Sequence, residues 1–286
     1  MDEPERLVSR ASMASRDEGL ARQLVTSLTA LLVDPPVASS PRGLRLARET
    51  VERHLSALGF SISRYEVDDH PPVVVAIRAG ATERWIGLSG HYDVEVGGSG
   101  WRSDPFIPVL REGRLFARGV ADNLGPLFLR LLALEGATFS LPSLVWLLQG
   151  EEEIGSPAAH RIYPRLVLEK ALPPVALWLE ETGYFELDGR QRVLLRHPSP
   201  VTHPWLEAAF CCARARGRTV ELHDRYLNKA FGVHRCPFLT HVVGEATYLA
   251  MGPNDPLSRI HKADESLPMG TLGVSVDQFL SLLASA

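Results

Sequence analysis

Residues 143–156 read SLVWLLQGEEEIGS, an apolar run that breaks abruptly into three acids held between glycines. Leu144–Leu148 reads as a fully buried strand, the kind found where helices cover both faces of a sheet. On either side the same alternation continues. Ala158–Lys170 reads as a helix and Val175–Leu179 as a second buried strand. Upstream, Trp85–Ser89 reads as a strand and Leu127–Leu134 as a buried helix. Apolar strands alternating with helices predict an α/β layered fold built on a mixed sheet.

Further out the pattern holds. Arg16–Leu32 and Pro41–Leu58 carry apolar residues at helical spacing, with Ser39 or Ser40 to start the second helix and Gly59 to stop it. Ser61–Val67 and Val73–Arg78 are strand-like, and a Gly-rich loop follows at Gly97–Gly100. Glu112-Gly113 predicts one hairpin, and Asp188-Gly189, between Tyr184–Leu187 and Val193–Leu195, predicts a second. Trp205–Arg216 reads as a helix, Phe238–Val243 and Thr247–Met251 as strands, and Val274–Ala284 as a final helix. The only candidate joint is Pro198–Pro204, so a single domain over 1–286 is expected, 1–195 as its first part and 196–286 as its returning part.

The 286 residues are 45% hydrophobic and 22% charged, ordinary values for a soluble globular protein. A net charge of -4 without a dense basic stripe argues against nucleic acid as a partner. MDEPERLVSR lacks the basic start and apolar run of a secretory signal, and no apolar stretch is long enough to span a bilayer. Cys211, Cys212 and Cys236 have no CxxC spacing and are odd in number, which suits free thiols in a reducing cytosol. A cytoplasmic enzyme is the expectation.

Four clusters carry chemistry. His91 and Asp93 follow the Trp85 strand two residues apart, so both side chains leave the same side of an extended chain. The ring suits a metal, and the carboxylate suits a partner behind it. Asp122 lies in a turn flanked by Gly119 and Gly125, ahead of the Leu127 helix. Glu151, Glu152 and Glu153 crowd the mouth of the Leu144 strand, where a divalent cation would relieve their repulsion. His261 precedes the last helix and is followed four residues on by Glu265. Each alone has a simpler use, as a loop pair, a helix cap, a solvated helix start or a surface histidine.

In series they mean more. An HxD, an Asp in a tight turn, a Glu pair after an apolar strand, an acid after the next strand at Glu180, and a late His come in that order. GWRSDPFIPVLREGRLFARGVADNLGP, LQGEEEIGS and MGPNDPLSRIHKADESL add local likeness around them. In these residues the chain resembles the co-catalytic zinc peptidases of the aminoacylase, carnosine dipeptidase, acetylornithine deacetylase and glutamate carboxypeptidase family. The resemblance implies a three-layer zinc-peptidase-like fold with a central mixed, mostly parallel sheet. It implies two divalent ions, zinc or else manganese or cobalt, bridged by Asp122. His91 and Glu180 would serve one ion, and Glu153 and His261 the other. Asp93 would stand behind His91, Glu152 would be the general base, and the Asp122–Asn123 peptide would be cis. Glu181 is the rival to Glu180.

The implied reaction is hydrolysis of a small amide, a dipeptide or N-acyl amino acid, by water activated between the ions. The likeness also fails in places. The family's lid, which often mediates dimerisation, is missing after the Tyr184–Leu195 hairpin, and Leu124 stands where carnosine dipeptidases commonly have Lys. The stretch Leu222–Phe238 matches nothing in the family; its His223, Arg225, Asn228, Lys229, His234 and Arg235 are either substrate contacts or an ordinary polar loop. An open site also admits a biosynthetic amide-cleaving or acyl-transfer enzyme with a carrier-bound or protein-bound substrate. A metal-binding homologue without catalysis is the third alternative.

Overall fold

The computed structural model describes residues 3–196, 204–224 and 236–286. The expected joint at 198–204, except for Pro204, and the polar residues Arg225, Asn228, Lys229, His234 and Arg235 lie outside them.

Two helices open the chain, α1 (Glu3–Leu32) and α2 (Pro41–Ala57). Pro41 occupies the first turn of α2, and the Ser40 hydroxyl accepts the Gly43 N–H at 3.0 Å, satisfying a donor that the helix itself cannot. Gly59, at φ +83°, turns the chain out of α2 into β1 (Ser61–Tyr65). Then come β2 (Val73–Arg78), β3 (Trp85–His91), the hairpin of β4 (Val109–Arg111) and β5 (Arg114–Phe116), and α3 (Leu124–Glu135). The run that opened the sequence analysis is β6 (Ser143–Gln149), followed by α4 (Pro157–Leu168) and β7 (Val175–Glu180). A second hairpin, β8 (Tyr184–Phe185) with β9 (Arg190–Arg196), turns at Gly189. The chain closes with α5 (Pro204–Ala215), β10 (Thr219–Asp224), β11 (Thr247–Ala250), β12 (Ser266–Pro268) and α6 (Leu272–Ser285).

The main sheet has the order β1-β2-β6-β3-β7-β11-β9-β10, with β8 paired to β9. Its central strands β6, β3, β7 and β11 are mutually parallel, and antiparallel pairs flank them. The two-residue period sorts each strand onto two faces. Val74, Ala76, Leu144 and Trp146 face the core under α1, α2, α3, α5 and α6. Val73, Val75, Val145 and Leu147 face the smaller core under α4. Three layers result. A small sheet of β12, β5 and β4 stands apart.

One strand expectation fails, and a strand forms where none was expected. Phe238–Val242 is a π-helical turn, not a strand, because Phe238, Leu239 and Val242 all turn one face into the α4 core. A short apolar run is ambiguous between the two states when no neighbour is considered. Thr219–Asp224, which the sequence reading left outside any strand, is β10, paired in parallel with β9. Between β9 and α5 lie only residues 197–203, so no lid domain interrupts the main fold there.

Candidate metal centre

Parallel strands bring their C-terminal ends to one edge of the sheet, where open α/β sheets form clefts. His91 ends β3, Glu151–Glu153 follow β6, and Glu180 ends β7. Asp122 comes from the loop before α3, and His261 from the loop between β11 and β12. His91, Asp122 and Glu153 offer ligand atoms that all lie within 4.8 Å of one another.

Asp122 is the centre of the group. Its Oδ1 lies 3.0 Å from His91 Nε2, and its Oδ2 lies 3.3 Å from His261 Nε2. One carboxylate thus divides its two oxygens between two imidazoles. His261 Nε2 also lies 2.9 Å from Glu153 Oε2. Contact with Asp122 and Glu153 pushes the His261 ring up to about 10. For His91, burial alone favours the neutral ring, but Asp122 and Asp93 hold it well above its ordinary value. Burial likewise works against the Asp122 charge, and the two imidazoles overcome it and hold the carboxyl below its usual range.

Asp93 is fully buried behind His91, with Oδ1 3.2 Å from Nδ1. Its two oxygens also accept the Glu152 and Glu153 N–H groups, at 3.2 and 3.1 Å. The residue expected to support one histidine therefore also anchors the acidic turn. That turn is a single 3₁₀ turn, Glu152–Ile154, and it fans the three carboxylates apart. Glu151 meets His70 Nδ1 at 2.9 Å, Glu153 accepts the Glu95 N–H at 3.2 Å, and Glu152 lines the cavity. Burial pushes Glu152 up to about 7; His91 opposes the shift, while Asp122, Glu153 and Asp93 reinforce it.

Glu180 and Glu181 point different ways. The Glu180 carboxylate accepts from the Tyr248 and Thr182 hydroxyls. Glu181 is buried, accepts from Asn123 Nδ2, and pairs with Arg130 Nη1 at 3.2 Å. Burial raises its carboxyl to about 7 against the pull of Arg130, and the charges of His91 and Asp122 also act on it. Asn123 Oδ1 accepts the His91 N–H at 3.0 Å, so Asn123 ties Glu181 to the β3 end. The Asp122–Asn123 peptide is cis, as the resemblance implied.

The backbone of the Asp122 loop has its own clamp. Glu265 accepts the Ala121 and Asp122 N–H groups at 2.9 and 3.2 Å, and pairs with Arg118 Nη1 at 2.7 Å. Burial pushes Glu265 up to about 7, while the Ala121 N–H and Arg118 pull the other way. Asp264, beside it, binds Arg102 at 2.8 Å and Arg111 at 3.3 Å. These pairs fasten a loop in which Arg259, His261 and Asp264 all adopt positive φ. Sequence reasoning noticed the spacing of His261 and Glu265 and the Asp122–Asn123 peptide but assigned the side chains of Arg118, Asn123, Arg130 and Tyr248 no part; nothing local marks them.

His91, Asp122, Glu152, Glu180, Glu181 and His261 border a cavity of about 460 Å³, lined also by Gln149, Tyr184, Cys236, Phe238 and Ile260. Mixed imidazole and carboxylate donors with spacing of this kind fit zinc, manganese or cobalt, and the protons now shared between them are what a divalent ion would displace.

A layered α/β sheet with acids and histidines gathered at its strand ends defines a scaffold suited to holding metal ions. Residues 87–285 match the peptidase family M20/M25/M40, and the chain belongs to that family. A segment of 139 residues is 35% identical to succinyl-diaminopimelate desuccinylase of Acidiphilium cryptum, covering 48% of this chain and 37% of that one. Beta-Ala-His dipeptidase of Homo sapiens is 31% identical over 99 residues, 32% of this chain and 20% of that one. The chain spans about a third of the length of the first curated relatives it matches. Among solved structures, the dipeptidase Dug1p of Saccharomyces cerevisiae superposes with a TM-score of 0.74 at 12% identity, covering 96% of this chain and 97% of that one. The metallo-carboxypeptidase Sso-CP2 of Sulfolobus solfataricus gives 0.73 at 13%, covering 92% and 98%. These likenesses show the same fold. No helix among the described residues is long and apolar enough to cross a membrane.

Proposed function

We propose that this chain hydrolyses the amide bond of a small dipeptide or N-acyl amino acid, with two divalent ions held around Asp122. The observation that carries the reading is the division of the Asp122 oxygens between His91 and His261, with Glu152 beside them in the cavity. Relatives named for desuccinylation and for dipeptide cleavage support the substrate class. His91, Asp122, Glu153 and His261 supply four of the ligands. The last is Glu180, with Glu181 as its rival: both line the cavity, and the Glu181 carboxylate is already engaged by Arg130 and Asn123. Bound zinc, manganese or cobalt supplies Lewis acidity that polarises a carbonyl and acidifies water.

The chain's own residues do the rest. Glu152, its carboxyl near 7, is matched to take a proton from water at neutral pH and return it to the leaving amine. Asp93 holds the His91 ring and the Glu152 N–H at once, so base and ligand keep a fixed separation. Residues 1–195 and 196–286 act as one catalytic unit: both supply strands to one sheet, and the second contributes His261. Free thiols at Cys211, Cys212 and Cys236 fit the cytoplasm. A second reading, a biosynthetic amide-cleaving or acyl-transfer enzyme for a carrier-bound substrate, rests on the short interval between β9 and α5, seven residues where a lid domain would be inserted.

Metal analysis of zinc-loaded protein should find two ions per chain, and Asp122→Ala should lose that stoichiometry. Glu152→Gln should keep both ions while kcat falls by about 10²–10⁴-fold. Between Glu180→Gln and Glu181→Gln, the one that drops an ion identifies the fifth ligand. Full turnover by Glu152→Gln, or one ion or none in the unaltered protein, would refute the assignment. Rapid hydrolysis of several free dipeptides or N-acyl amino acids would exclude the carrier-bound reading.

A further inference from the structure

The main sheet ends at β1 on one side and at β10 on the other. An edge strand offers a row of backbone N–H and C=O groups to any passing strand, and proteins usually guard it with a charge, a proline or a bulge. β1 is guarded. It carries Arg64, fastened to Glu52 at 2.8 and 2.6 Å, and its Ile62 and Tyr65 pack against the two cores. β10 has none of these devices. Thr219–Asp224 reads TVELHD, without proline, lysine or arginine, and pairs with β9 in an unbroken register. Val220 packs with Phe185, Ala213 and Val274, whereas Leu222, on the same face two residues on, is 52% exposed. Glu221 and His223 leave the other face, with His223 Nε2 3.7 Å from Glu221 Oε2. Nothing among the described residues pairs with the outer edge of β10.

We propose that β10 is a dimerisation edge, on which a second copy of this chain adds its own β10 antiparallel and joins the two main sheets. Two identical chains that close into a pair are related by a two-fold axis, so identical edge strands meet antiparallel across it. Hydrogen-bonded positions must face hydrogen-bonded positions, which centres the pairing on a residue and not between two. Two such registers overlap most of the strand. Centred on Glu221, the pairing sets like charges directly opposite each other. Centred on Leu222, it sets the two exposed leucines together and places Glu221 of each copy opposite His223 of the other. Apolar pairs and opposite charges across strands stabilise, and like charges do the reverse, so the register is the one centred on Leu222. No donor of the candidate metal centre lies on β10, and the proposal stands apart from the proposed hydrolysis.

Sedimentation of the full chain should show a species of twice the 31.5 kDa mass. A single strand pair is a small interface, so its dissociation constant should fall at roughly 1–100 µM. Leu222→Lys sets like charges across the axis at an exposed position, so the fold is kept and the constant should rise at least about tenfold. His223→Glu should raise it by about three- to tenfold, and adding Glu221→Lys should bring it back down. Cross-linking reads the register independently. In a Cys211→Ser background, mild oxidation should link Leu222→Cys to its own copy, because directly opposed residues lie within disulfide reach, and should leave Val220→Cys unlinked. A monomer throughout this range would overturn the proposal; protection of its β10 amides from hydrogen exchange would show that the chain covers its own edge. A dimer that Leu222→Lys leaves intact, with circular dichroism unchanged, would put the contact on another face and overturn it equally. Linkage through Val220→Cys in preference to Leu222→Cys would refute the register.

Discussion

Loading the centre with zinc should expel protons. His261 is held up to about 10 by Asp122 and Glu153, and His91 stands well above its ordinary value between Asp122 and Asp93. A ring with a raised pKa keeps its proton through neutral pH, and a metal needs the neutral ring, so proton and ion compete. At pH 8 a group titrating near 10 is about 99% protonated, while Glu152, near 7, has mostly ionised and contributes little. The expected release at pH 8 is therefore close to one proton from His261, with a further contribution from His91, whose ring is also held above its ordinary value. Affinity for the ions should climb by at least about tenfold per pH unit over this range. Isothermal titration with zinc in two buffers of different ionisation enthalpy measures the proton count directly. In His261→Gln the count should fall by about one. Zinc uptake that releases no proton at pH 8, with an affinity independent of pH between about 6.5 and 8.5, would refute the picture of two imidazoles charged by a shared carboxylate.

Arg118→Met leaves the Glu265 carboxylate without its countercharge, held only by two backbone N–H groups, where both side chains are nearly inaccessible, 3% and 1% exposed; unfolding in urea should show a loss of about 3–5 kcal/mol. A loss below about 1 kcal/mol would mean that Glu265 takes up a proton or finds water instead. At Gly87, a Cβ would come within 2.1 Å of the buried Trp178 ring across the β3–β7 pair, so Gly87→Ala should cost about 1–3 kcal/mol by the same measurement. An unchanged midpoint would show that the indole has room to retreat.

The sequence was most legible where one physical signal dominated. The apolar run of β6 and the turn residues Asp188 and Gly189 left few alternatives, and both elements stand where the reading put them. The π-helical turn at Phe238 was illegible because only the neighbouring α4 core decides which way a short apolar run folds. The edge strand β10 was missed for a different reason: its alternation is carried by Val220 and Leu222 alone, and on the sheet margin Leu222 is left largely exposed. In the site, residue types and order exposed His91, Asp122, Glu153 and His261, because metal chemistry restricts the choice of donor. The supports were hidden. Arg118 and Glu265 meet across 147 positions of sequence, and Asn123 joins His91 to Glu181 through hydrogen bonds that no local pattern announces. The one-residue uncertainty at Glu180 and Glu181 has the same root, since consecutive strand residues face opposite sides and only the packed sheet distinguishes them.

The Glu265 clamp also orders events in time. A chain emerging from the ribosome has made His91, Asp122, Glu153 and both candidate carboxylates by the end of β7, yet the Asp122 loop is still without the acceptor that fixes its N–H groups. Glu265 and His261 arrive together, one just before β12 and the other at the preceding bend. Docking of β12 against β5 thus brings the last histidine and the backbone clamp into register in a single step. The candidate site therefore gains its last histidine only when β12 is in place, after every other donor has been made.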